Sequence, residues 1–108
     1  KAAGAVPSIM RLMRDPDSNV RAAAARALGE LGDRRAIDVL LGHLADSDPV
    51  VRESSAKALG RFSGDRVVSA LMGLLYDESP AVRSGAAVSL GRIGDSMALD
   101  ILIFTLKD

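Results

Sequence analysis

The sequence predicts an all-α protein, an α-solenoid (alpha-alpha superhelix) of about three and a half repeats of 31 residues, with seven helices. The first observation behind this is a period kept without insertion. Val20-Arg21, Val51-Arg52 and Val82-Arg83 recur 31 residues apart, as do Leu28-Gly29, Leu59-Gly60 and Leu90-Gly91, and Asp15, Asp46, Asp77 and Asp108 close successive units. Self-similarity at roughly 20 to 50 residues marks a stacked array whose units cannot bury their apolar faces alone. The second observation is helical spacing of apolar residues within each unit. The third is composition: 48% of residues are hydrophobic but only 3% aromatic, so small aliphatic side chains can bring helices close together.

Helices are expected near residues 5–14, 18–31, 35–45, 49–62, 66–76, 80–93 and 97–107. The first helix of each pair places apolar residues at i, i+3, i+4 and i+7, as in Ile37, Leu40, Leu41 and Leu44. Val6, Ile9, Met10 and Met13 repeat that pattern, as do Val68, Leu71, Met72 and Leu75, and Leu99, Leu102, Ile103 and Leu106. The second helix runs Val20, Ala24, Ala27, Leu28 and Leu31, then Val51, Ser55, Ala58, Leu59 and Phe62, then Val82, Ala86, Ser89, Leu90 and Ile93. Its small residues are expected to form the seam against the first helix. Asp17, Asp48 and Ser79 stand where a side chain can accept from a free amide of the helix that follows. Pro49 and Pro80 come next, at the first helical position. Gly32 and Gly94 suit the left-handed residue beyond a helix end, whereas the middle unit has Ser63 there and Gly64-Asp65 one residue late. Gly29, Gly60, Gly73 and Gly91 fall within helices, where they permit close packing. Short turns make consecutive helices antiparallel, and their constant geometry stacks the pairs into a right-handed layer within one domain, 1–108.

Charge narrows the function. Fourteen basic residues balance fourteen acidic ones, which leaves no overall field to draw in nucleic acid or an anionic membrane. With no cysteine there is no disulfide framework and no thiolate metal site. No apolar run approaches the roughly 20 residues that span a bilayer, and no signal peptide is recognisable, so a cytoplasmic location is the default expectation.

The run from Asp15 to Asp33, DPDSNVRAAAARALGELGD, followed by Arg35-Ala36-Ile37 and Leu40-Leu41, resembles a HEAT repeat of the phycobilisome-lyase-like subclass, within the armadillo-like folds. The resemblance covers essentially the whole chain and is carried by packing and capping residues. It implies that the Asp-x-x-Val-Arg positions support a polar ladder between repeats, here Asp46 or Asp77 with Arg52 or Arg83 and their neighbours. It also implies that the second helix of each pair lines a concave surface on which partners dock.

Exposed positions of that second helix that differ between repeats are the candidate partner site. Asn19, Val50 and Ala81 form one row, and Ala22, Glu53 and Ser84 a second. Arg26, Lys57 and Val88 form a third, and Glu30, Arg61 and Arg92 a fourth. Arg26, Lys57, Arg61 and Arg92 together make a modest basic stripe suited to an acidic peptide, interrupted by Glu30 and Glu53; the competing reading is ordinary solvated charge.

No enzyme, cofactor or metal is expected. His43 is the one histidine, and Leu44 follows it, so the His-Glu pairs of the iron-binding HEAT-like deoxyhypusine hydroxylase are missing. No Gly-rich phosphate loop appears. A protein-interaction scaffold is the leading reading. Its alternatives are a bilin lyase or chromophore-handling subunit, which the subclass name suggests, and a nucleic-acid-binding protein, for which Phe62, Tyr76 and Phe104 are few stacking groups. The last expected helix is apolar nearly all round, and the chain reads as a piece of a longer array. If Leu99, Leu102, Ile103 and Leu106 pack inward, Ile101 and Phe104 are left for a missing helix or for self-association.

Overall fold

The computed structural model describes the backbone of residues 2–107, and side chains outside 1–3, 98–102 and 104–108. Among the described residues six α-helices follow one another: α1 (Ala2–Leu12), α2 (Ser18–Leu31), α3 (Ile37–Gly42), α4 (Pro49–Leu59), α5 (Asp65–Gly73) and α6 (Pro80–Lys107). Short 3-10 turns flank the first helices of the pairs, at Arg34–Ala36, His43–Ala45 and Leu74–Tyr76, where bonds such as Asp46 N–H to the His43 carbonyl tighten the last turn.

Capping sets the starts. The Asp17 carboxylate accepts from the Asn19 amide and that of Asp48 from the Val50 amide, each at 2.8 Å. One residue pair earlier, Asp15, Asp46 and Asp77 each accept from the amide two residues on, at 2.8 to 2.9 Å. This Asx turn reverses the chain between helices. Gly32 ends α2 at φ 66° with its N–H on the Leu28 carbonyl.

The expected seventh helix does not form separately, because α6 continues from Pro80 to Lys107. Gly94 is not left-handed; among the described residues only Gly32 and Gly64 have positive φ. The turn after Gly32 is held by Asp33, whose carboxylate accepts from the Arg35 amide and pairs with its guanidinium at 2.8 Å. The same Gly-Asp pair recurs at Gly94-Asp95, but Met97 stands where Arg35 does, so that staple is lost. Carrying a glycine within a helix costs only about 1 kcal/mol, and the helix runs on. The middle unit departs further than its sequence suggests: α4 ends at Leu59 instead of reaching 62, and Gly64, at φ 117°, leads into α5.

The core lies between the two helix layers. Met13, Leu28, Leu40, Leu59 and Leu71 are fully buried, as are Val6, Val51, Val67 and Val82. Within the second-helix layer small residues meet. A Cβ on Gly29 would stand 2.8 Å from the Cα and Cβ of Ala58, and one on Gly60 would stand 2.6 Å from Ser89 Oγ. Gly73 and Gly91, expected to do the same, have nothing within 4 Å of such a Cβ among the described residues. Thus α2, α4 and α6 pack directly on one another, whereas α1, α3 and α5 touch chiefly their own partners. The second-helix layer is therefore the more tightly packed of the two, in an array with extents of 52 × 37 × 16 Å.

Candidate functional site

An inter-repeat ladder of arginine and aspartate ties successive units together. Arg21 donates through Nε and Nη2 to both Asp46 oxygens at 3.0 and 3.1 Å, and Arg52 does the same to Asp77. Each guanidinium also donates through Nη1 to the carbonyl of its own unit's leading aspartate, Asp15 or Asp46, at 2.8 Å. The pairs therefore run from an arginine to the aspartate 25 residues later. The ends are largely buried, at 13% and 10% exposure for Arg52 and Asp77. Arg52 is the main cause that holds the Asp77 carboxyl below its ordinary value. Burial opposes ionisation of Asp46, but the Arg21 guanidinium and the Asp48 amide bring it below its ordinary value as well.

On that frame the third and fourth rows converge. Arg26, Glu30, Lys57, Arg61 and Arg92 line one shallow concavity of about 190 Å³, floored by Gly29, Ser54 and Ala58. Its floor is low because Gly29 and Ala58 bring α2 and α4 close. Arg26 Nη1 reaches Ser54 Oγ at 3.4 Å. Lys57 Nζ is paired with Glu53 at 3.0 Å, while Arg61 and Arg92 have no ion pair among the described residues. Small-molecule pockets typically run from about 300 Å³ upward, so this hollow fits a side chain or two of a larger partner.

The other candidate residues lie apart from it. Ser84 and Val88 are exposed on α6, and Asn19 edges an apolar hollow beside Ile9 and Leu12 at the opposite end of the array. Ala22, expected at the surface, is 2% exposed and presents none. Its row faces the flank on which the next second helix packs. There the Glu53 stem lies 3.4 Å from where a Cβ of Gly85 would stand, so a long side chain reaches past and an alanine is covered. Ile101 and Phe104 lie outside the described side chains. His43, half-buried, places Nδ1 2.9 Å from the Val39 carbonyl one turn back, a local structural bond.

A larger hollow, about 650 Å³, opens between α1 and α3. Pro7, Met10 and Val39 form its floor, with Arg11, Arg14, Arg35 and Asp38 at the edge. No spacing in the sequence announces it, because it comes from the splay of the first helices. Among the described residues no helix is long and apolar enough to cross a membrane.

The HEAT-repeat family model matches residues 1–60 and again residues 43–108, and the chain belongs to that family. Its successively stacked helix pairs are those of such an array. No curated protein matches the chain.

Proposed function

We propose that this chain is a protein-interaction scaffold whose inner face, centred on Arg26, Lys57, Arg61 and Arg92, binds an acidic segment of a protein partner. The observation that carries the reading is convergence: Arg26 of α2, Lys57 of α4, Arg61 in the turn after α4 and Arg92 of α6 edge one concavity with Glu30 as the single acid. Repeat arrays use extended concave surfaces of this kind for binding. The guanidinium groups of Arg61 and Arg92 can each grip a carboxylate in bidentate fashion. No large apolar side chain lines the hollow itself, so recognition there rests on charge and weakens with salt. The narrower likeness to the phycobilisome-lyase-like subclass is carried by the same packing and capping residues and belongs to the frame.

The test is fluorescence anisotropy with a labelled glutamate- and aspartate-rich peptide. Binding that falls steeply with salt, and that is lost when Lys57, Arg61 and Arg92 are all changed to glutamate, supports the reading. Equal affinity of wild type and triple variant refutes it.

A further inference from the structure

The outer flanks of α2 and α6 repeat, without a partner among the described residues, the positions that pack at the internal junctions. At each internal junction a glycine of one second helix meets a small residue of the next, Gly29 with Ala58 and Gly60 with Ser89. An arginine of one unit grips an aspartate of the next, Arg21 with Asp46 and Arg52 with Asp77. Ala25 and Ala56 are fully buried there.

On α6 the same positions are open. Gly91 has nothing within 4 Å, Ala87 is exposed, and Arg83 reaches only the Asp77 carbonyl, at 2.7 Å, among the described residues. Because α6 continues past Gly94 without a turn, no separate seventh helix packs beside α5 among the described residues. Leu75 is accordingly 36% exposed where its counterparts Met13 and Leu44 are 0% and 8%. At the other end α2 is open on its opposite flank. Val20 and Ala27 are half-exposed and Ala23 exposed, although Val51, Val82, Ala58, Ser54 and Ser89 at those repeat positions are buried. These residues line an apolar hollow of about 330 Å³ with Ile9 and Leu12. The Asp15 carboxylate beside it accepts only the Asp17 amide among the described residues.

We propose that a second copy of this chain docks here in repeat register, the α2 flank of one copy against the α6 flank of the other, with Arg83 on Asp15 and Gly91 against Ala27. The two faces match because a 31-residue translation already joins them twice inside the chain, once at α2 with α4 and once at α4 with α6. Helix α1 of the second copy occupies the open side of α5 and covers Leu75. The contact joins different surfaces of the two copies, so a dimer leaves one flank open at each end and further copies add head to tail. It is separate from the inner face that binds the acidic segment.

Sedimentation of the full chain tests the register. Wild type is expected to show a concentration-dependent series of dimers and longer species. Arg83→Asp alone and Asp15→Arg alone each juxtapose like charges and raise the dissociation constant at least about tenfold. An equimolar mixture of the two variants regains association, because each tail then meets an opposite charge on the other variant's head. Gly91→Leu, at a position with open space around it, weakens association while circular dichroism stays unchanged. A wild-type chain that stays monomeric at millimolar concentration overturns the proposal. So does association that the charge reversals leave intact, or that is removed only by Ile101→Glu with Phe104→Glu.

Discussion

The Ser89 hydroxyl donates to the Ala56 carbonyl across 2.6 Å, from one second helix to the preceding one. That carbonyl is available because α4 tightens at its end: the Gly60 amide turns to the Lys57 carbonyl and the Arg61 amide to that of Ala58. In the first unit α2 stays helical to Leu31, and alanine, Ala58, stands at the position of Ser89. A polar side chain is thus present where the neighbouring helix leaves an acceptor.

Two buried serines should therefore respond oppositely to the same change. Ser89→Ala strands the Ala56 carbonyl and is expected to cost about 1 to 3 kcal/mol. Ser55 Oγ is buried without a hydrogen-bond partner among the described residues, and alanine occupies its repeat position at Ala24 and Ala86. Ser55→Ala is expected to stabilise by about 1 kcal/mol. Urea denaturation measures both, and a loss at Ser55 equal to that at Ser89 contradicts this reading.

The Leu-Gly motif should divide by context. Gly29→Ala pushes a Cβ into the backbone of α4 and is expected to destabilise despite alanine's better helix propensity. Gly91→Ala meets nothing within 4 Å and is expected to raise stability by about 1 kcal/mol. Thermal melts at low concentration, where chains are separate, compare the two.

Acid should act through the ladder and the first turn. Asp46 and Asp77 are held below the ordinary carboxyl value, and Asp33, paired with Arg35, is lowered to about 2. Depressed values in the fold mean that this stability is fully present above the unfolded value of about 3.9 and is lost as pH falls through the folded ones. The melting temperature is expected to stay level from neutral pH to about 5 and to fall below about 4. Asp77→Asn should lower it at pH 7 and narrow the gap to wild type near pH 2. A gap that is the same at both pH values assigns no part of the acid response to Asp77.

Core and inner face should separate cleanly. Leu59 is fully buried between the layers, so Leu59→Ala is expected to cost about 2 to 5 kcal/mol. Changing Lys57, Arg61 and Arg92 to glutamate alters exposed groups and should barely move the melting temperature while removing peptide binding. Denaturation and anisotropy on the same samples decide it; a Leu59 variant as stable as wild type means the apolar face lies elsewhere.

The sequence by itself determined the repeat, the starts of the second helices at Ser18, Pro49 and Pro80, and much of the core. Those features are local: a period of 31, an Asp-x-Asp or Asp-x-Ser turn and an i, i+3, i+4, i+7 stripe act through neighbours along the chain. The basic stripe was legible too, because Arg26, Lys57, Arg61 and Arg92 sit at regular offsets that stacking turns into adjacency. Tertiary structure alone decided which arginine meets which aspartate, since the pairing follows the displacement between stacked units. It decided that Ala22 is covered where Glu53 reaches past the same flank. It decided that the first helices splay into a hollow no motif marks. It also decided the course of α6, where Gly94-Asp95 repeats the turn residues of Gly32-Asp33, but the Arg35 that clamps the earlier turn has no counterpart at Met97. A turn motif specifies a turn only when the contacts that outweigh helix propagation are present, and those contacts come from residues outside the motif.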